Sequence, residues 1–488
     1  MTATDPREVI DKSDMTIAQV LVVAITVLLN AMDGFDILSI AFASNGIAKE
    51  WSITTQDLGI VLSMELIGMA IGSVLLGGLA DRIGRRPTLL GCLLTMAIGM
   101  YLATTAGSPN QFSVWVSFTE FLAGLLKSPV GAVQLSIWRI VTGLGIGGML
   151  SCTNAVVAEF SSKKWRRLCI SVMVIGYPLG GGFGGVYASG LINTYGWRSV
   201  FYLGAAATTI LLPLAFFLVP ESVHWLTRKQ PANALAKLNA SLTKLGKATV
   251  SALPQIDSQE AKKSLADIFS PTLIRTTLVV TAAYFLHIVS FYFLAKWLPR
   301  IVGATFPTLP PGTGPYMLAL TNFGGAAGGI LFGLLASKIG LKRLTMGILV
   351  LNAAAIVVFG RTPAVQSTVL WLAIAVGFFG NSAISGMYSI VAYAFPTHVR
   401  ATGTGFVIGV GRGGAVLSPI IAGYLFDPSG VAKALPVDRL AFVALLMAMG
   451  SLLAAAVLLF LKAGIDQAAP VQQPTTMQQA PEMRARTV

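Results

Sequence analysis

Gly77-Gly78-Leu79-Ala80-Asp81-Arg82-Ile83-Gly84-Arg85-Arg86 decides the fold, because a worn copy of it, Phe332-Gly333-Leu334-Leu335-Ala336-Ser337-Lys338-Ile339-Gly340-Leu341-Lys342-Arg343, stands in the second half of the chain. Each copy follows an apolar run long enough to cross a bilayer, near 57–79 and 315–336. A second pair of landmarks, Ala158-Glu159 with Arg166 and Ala392-Tyr393 with Arg400, repeats the relationship further on. The chain therefore reads as two related halves.

Working outward, apolar runs of membrane-spanning length recur near 17–43, 57–79, 88–106, 134–160, 169–192, 200–219, 275–300, 315–336, 344–360, 367–393, 401–425 and 437–462. The 488 residues are 55% hydrophobic and 11% charged, with a mean hydropathy of +0.75, which excludes a water-soluble domain. The fold class is an all-α membrane protein of about 12 spans in two six-helix pseudo-repeats. We expect an N-terminal tail over 1–16, a six-helix bundle over 17–219, a polar linker over 220–274, a second bundle over 275–462 and a disordered tail over 463–488. The interval from Asp81 to Arg166 exceeds that from Ser337 to Arg400 by about 22 residues, an excess that places an insertion near 108–133. Its Trp115, Phe118, Phe121 and Leu122, with Pro129 near its end, suggest a helix or hairpin at the outer interface.

Basic residues set the orientation. Outward loops would carry only Lys49, Lys127, Arg198, Arg300, Arg361, Lys433 and Arg439, and the other basic residues outside the spans fall on the opposite side. The positive-inside rule then makes both termini cytoplasmic. The formal charge of +14 reports topology and anionic lipid rather than nucleic acid. The mixed charges of Asp5, Arg7, Glu8, Asp11, Lys12 and Asp14 match no cleavable signal, so the first span is expected to act as its own insertion signal. Cys92, Cys152 and Cys169 read as small apolar residues, uninformative about redox compartment.

Charges inside the spans carry the chemistry. Asp33 and Asp36 lie one turn apart on the first span, with Gly34 between them to admit a neighbouring helix. An ionisable group at mid-bilayer is costly, and two facing carboxylates can hold and release a proton as a unit. Arg412, amid Gly409, Gly411, Gly413 and Gly414, is expected to be buried in tight packing, where its planar fork suits a carboxylate; pairing with a protein acid is the other reading. Arg139 either works in the site or snorkels to the outer interface. Lys296 either snorkels, the reading its outer-end position favours, or meets a second carboxylate or phenolate of a larger substrate. His287 is open between a proton relay and a structural imidazole, and Glu65 between an arginine partner and an aqueous cavity. Tyr177, Tyr284, Trp297 and Tyr388 are candidates to stack on an aromatic ring or to serve packing.

Glu159, beside Lys163, Lys164, Arg166 and Arg167, reads as a gate latch at the inner face. Asp81 with Arg82, Arg85 and Arg86 can pair across helix ends when that face closes, and Ser337 leaves the second copy of this latch in doubt. His224, His287 and His398 fall on separate elements and no Cys/His spacing suits a metal, so an enzyme, a metal and a cofactor are not expected.

The loop from Gly78 to Arg86 resembles the signature of the major facilitator superfamily. Asp33 to Asp36, Arg139 to Gly148 and Val399 to Arg412 together resemble its aromatic acid:proton symporter branch. That resemblance implies proton-driven uptake of a benzoate-like or phenolic carboxylate, by a monomer, across a bacterial inner membrane. It also implies roles for Asp33, Asp36, Arg139, Glu159, Arg400 and Arg412. Lys296 departs from the branch pattern, which leaves room for a larger or dianionic lignin-type substrate, with Tyr388 in the binding set. Two other readings stand beside it. Tyr177-Pro178-Leu179-Gly180-Gly181-Gly182 partly resembles an exporter motif and allows proton-coupled efflux, and a non-transporting receptor is the third.

Overall fold

In the computed structural model, residues 5–108, 113–254, 265–396, 399–427 and 439–461 are described. Twelve helices among them are long and apolar enough to cross a membrane. In chain order, spans 1 to 6 are Ile17–Trp51, Thr55–Ile83, Arg85–Ala103, Val130–Phe160, Arg166–Tyr195 and Arg198–Leu218. Spans 7 to 12 are Ile274–Thr305, Thr313–Ile339, Leu341–Gly360, Gln366–Ala394, Arg400–Phe426 and Arg439–Leu459. The described residues contain no strand. The all-helical, twelve-span reading of the sequence holds.

Helix ends follow capping chemistry rather than hydropathy. Thr16 and Gln19 cap span 1 reciprocally, with Thr16 N donating to Gln19 Oε1 at 3.0 Å and Gln19 N to Thr16 Oγ1 at 3.3 Å. That span continues beyond the expected 43 to Trp51, because Ser44, Asn45 and Glu50 are polar without being helix breakers. It ends where Ser52 turns left-handed at φ 50°. The expected insertion contains a helix, Ser113–Leu126, whose Trp115 ring packs 4.9 Å from Trp138 of span 4 while Val114, Phe121 and Leu125 stay exposed. The expected polar linker holds two short helices, Val223–Lys229 and Ala234–Lys244. The tail expected to be disordered over 463–488, and His398, lie outside the described residues.

Glycines set the closest approaches. Spans 2 and 4 mesh so tightly that a Cβ on Gly143 would strike Glu65 O, and one on Gly68 would strike Ile140 O. Gly34 lies against Tyr177 O of span 5, so the close neighbour expected at that position is present.

The two halves meet toward the face opposite the N-terminal tail. Asn45 Nδ2 donates to Pro299 O at 2.7 Å, Gly312 N to Asn193 Oδ1 at 2.8 Å, and Ser63 Oγ to Val416 O at 2.8 Å. These bonds tie the far ends of spans 1, 2 and 5 to spans 7, 8 and 11. Further in, Arg412 Nη1 donates to Met69 O at 3.2 Å, about half way along span 2. The bundle is closed at the far face by these bonds among the described residues.

Candidate functional site

At that mid-depth three fully buried charges form one cluster. Glu65 of span 2 pairs with Arg139 of span 4 through Nη2, and its other oxygen lies 3.5 Å from Lys296 Nζ of span 7. Arg139 Nη2 also donates to Asp36 O at 2.8 Å, Arg139 lies 5.4 Å over the Phe201 ring, and Lys296 Nζ donates to Ile37 O. All three side chains are 0% exposed, so neither Arg139 nor Lys296 snorkels. The physical reason is Glu65 with the span 1 carbonyls: they offer an internal anion and acceptors that replace hydration, which a lone lysine at a helix end would otherwise seek at the interface.

Beside this cluster lie Asp33 and Asp36, buried at 1% and 0% exposure. None of their four carboxylate oxygens accepts a hydrogen bond from the described residues. Buried carboxylates are ordinarily paired or hydrogen-bonded, and groups that are neither are held for chemistry. Arg412 is the cation electrostatically coupled to Asp33, and Arg139 the one coupled to Asp36.

Arg412 corrects one expectation. It is half-buried rather than enclosed, because Gly409 has open space around it and Gly413 meets only a Phe285 ring edge at 3.5 Å. Gly411 is tightly packed against the Tyr284 ring and Gly414 against Phe285 O, as expected. Tyr284 Oη donates to Tyr388 Oη at 3.3 Å, the ring centroids are 5.8 Å apart, and Tyr388 remains 40% exposed although it sits within span 10. Tyr177 of span 5 faces Tyr292 of span 7 across the halves. Arg412 thus lies near Tyr284, whose ring packs on the adjacent Gly411.

Other candidates separate from this centre. His287 is buried in the second half, with Nδ1 3.1 Å from Ser451 Oγ and Nε2 3.3 Å from Gly380 O, which is the structural-imidazole reading. Trp297 is buried, donating from Nε1 to Pro419 O at 3.2 Å, and serves packing.

The gate candidates gather at the tail face, within the first half and the linker. Arg85 pairs with Asp81 at 2.8 Å and approaches Glu159 at 3.7 Å, and Ser222 Oγ donates to Glu159 Oε2 at 2.5 Å. Glu221 Oε1 accepts from Arg85 N at 2.9 Å, Arg86 N at 3.3 Å and Ser222 N at 2.8 Å, so the linker caps span 3. Burial pushes the Glu221 carboxyl above its ordinary value while these amides pull it down. Gly84, at φ +116°, leaves room for it, because a Cβ there would collide with Glu221. Arg86 donates to Phe216 O at 2.7 Å, and Arg82 is exposed. Arg166 pairs with Asp11 of the N-terminal helix Pro6–Lys12. The expected pairing across helix ends is therefore present within one half, but these contacts do not reach the other. Arg400 donates to Phe395 O at 3.3 Å, and Ser337, where the first copy has Asp81, bonds Leu334 O at 3.4 Å.

Sequence reasoning left Glu65 undecided, and it is the hub. Its charge within the second span left an arginine partner and an aqueous cavity both open, because its partners depend on the packing of three spans.

Two linked six-span bundles around a buried charge cluster define a membrane transporter rather than an enzyme. The chain belongs to the Major Facilitator Superfamily, whose family model matches residues 23–309. It is 27% identical to the benzoate transport protein of Acinetobacter baylyi, covering 86% of each chain. It is also 27% identical to the gallate transporter of Pseudomonas putida, over 86% of this chain and 88% of that one. The 4-hydroxybenzoate transporter of Acinetobacter baylyi is 27% identical over 87% and 88%. Among solved structures, a D-xylose-proton symporter superposes with a TM-score of 0.68 at 15% identity, covering 90% of this chain and 97% of that one, a likeness of fold.

Proposed function

We propose that this protein is a proton-coupled symporter that imports an aromatic carboxylate across a bacterial inner membrane by alternating access, with both termini cytoplasmic. The observation that carries this reading is the pair Asp33 and Asp36, buried without hydrogen-bond partners among the described residues, with a half-buried Arg412 coupled to Asp33. Relatives named for benzoate, gallate and 4-hydroxybenzoate supply the substrate class. In that orientation the closed far face is the outer gate and the conformation opens inward.

Arg412 binds the carboxylate through its planar fork, and Tyr284 and Tyr388 flank the ring. A proton held by the Asp33/Asp36 pair offsets the arriving negative charge. The neutralised site can then be enclosed by either face, since net charge resists enclosure in a medium of low dielectric. Asp81, Arg85, Glu159 and Arg166 hold the inner ends of the first half as the tail face opens and closes, with Arg82 and Arg86 on the same loop and Arg400 acting at the start of span 11. Lys296 contributes from the second half to the same charge balance.

Uptake of labelled aromatic mono- and dicarboxylic acids into proteoliposomes under an inward proton gradient tests this reading. We expect accumulation that a protonophore abolishes. Faster loss of preloaded compound under the same gradient would instead make the protein an exporter. Asp33→Asn that takes up substrate with undiminished proton drive would remove the aspartate pair from coupling.

A further inference from the structure

Building on the symport reading, we infer that Glu65 is the fixed anion of the coupling site, and that the charge balance around it admits one proton per substrate carboxylate. Glu65 lies between two cations from opposite halves, Arg139 and Lys296, each of which is also anchored to a span 1 carbonyl. Each oxygen of this carboxylate thus faces its own cation. Arginine does not deprotonate in proteins, and Lys296 faces the second oxygen of Glu65 at 3.5 Å.

The charged groups that face one another here are Asp33 and Asp36 on span 1, Glu65 on span 2, Arg139 on span 4, Lys296 on span 7 and Arg412 on span 11. Tyr177, Tyr284, Tyr292 and Tyr388 are their phenolic neighbours. His287 is tied elsewhere. Three cations stand against one fixed anion and two titrating ones. The empty site is neutral when both aspartates are ionised. A bound monocarboxylate adds one negative charge, and one proton on the aspartate pair restores neutrality. A dicarboxylate requires two. In both cases no net charge crosses the membrane.

The same count gives Glu65 a role that a purely structural residue lacks. Glu65→Gln leaves the empty site with one surplus positive charge, so a monocarboxylate enters without a proton and carries its own charge across. Removing a cation as well, in Glu65→Gln/Lys296→Met, returns the count to balance and with it the coupling.

The test uses purified full-length protein in proteoliposomes and labelled 3,4,5-trihydroxybenzoate, with protein-free vesicles as the background. It records accumulation under an inward gradient of one pH unit and the substrate-evoked current on a supported membrane. Wild type should accumulate about tenfold per pH unit, matching the tenfold proton ratio, and give no current. Glu65→Gln should lose the pH-driven accumulation and give a current of negative charge moving with substrate. The double variant should regain accumulation and lose the current. A wild-type current overturns the inference even where the variants do not fold, and so does Glu65→Gln with wild-type accumulation and no current. Failure of wild type to move any aromatic acid under any gradient overturns the symport reading and this inference with it. Transport that is electrogenic overturns the charge count alone.

Discussion

Arg412 shows how one residue can be legible in the sequence and still be misplaced. Its glycine-rich surroundings suggested enclosure, yet only Gly411 and Gly414 of the four are tightly packed, Gly409 is open, and the side chain is half-buried. A lysine there keeps the charge but offers a point contact in place of a two-pronged one. Hydrogen bonds to charged groups contribute about 1.5–3 kcal/mol, so Arg412→Lys should raise the KM for uptake roughly tenfold or more. An unchanged KM would show that the carboxylate docks elsewhere. Asp33, Asp36, Arg139 and Lys296 were all visible as charges within spans, but their division into paired and unpaired groups was not. That division rests on Glu65, whose neighbours come from residues far apart in the chain: 231 positions separate it from Lys296.

Helices were easier to read than their ends. Hydropathy marks the stretch that lipid can solvate, whereas a helix stops where its capping groups are met, which is why span 1 runs on to Trp51. Spans 2 and 4 show what glycine spacing does at this scale. Gly68, Gly72, Gly143 and Gly147 press the two backbones together and thereby bring Glu65 to Arg139. Gly143→Ala places a methyl against Glu65 O, and forced overpacking of this kind costs about 1–3 kcal/mol. We expect a lower unfolding temperature in detergent together with slower uptake. Gly78→Ala is the control, because a Cβ there meets nothing within 4 Å. Equal stability of the two variants would dismiss close packing as the device that assembles the cluster.

At the scale of the whole molecule, the repeat of the loop near Asp81 was enough to give two six-span halves, and the apolar runs gave their number. What no single sequence displays is which end of the interface is shut. That follows from contacts such as Asn45 with Pro299 and Ser63 with Val416. Gly303 lies against Asn45 at the closed face, and the native Cys92, Cys152 and Cys169 are all buried. A disulfide in Asn45→Cys/Gly303→Cys should therefore form on mild oxidation and stop uptake, with activity returning on reduction. Uptake that survives complete crosslinking would mean this face need not open during transport.

The cap that Glu221 places on span 3 bears on how the protein is made. The amide of Arg85 is synthesised 136 residues before the side chain that satisfies it, and Thr16 similarly awaits Leu245 O at 2.7 Å. The first bundle can thus be inserted in full while its tail-face loop still lacks its hydrogen-bond acceptor. We therefore expect that loop to mature only after the linker has emerged from the ribosome. A nascent chain arrested before Glu221 should expose the Asp81–Arg86 segment to protease, and one arrested beyond Leu245 should protect it.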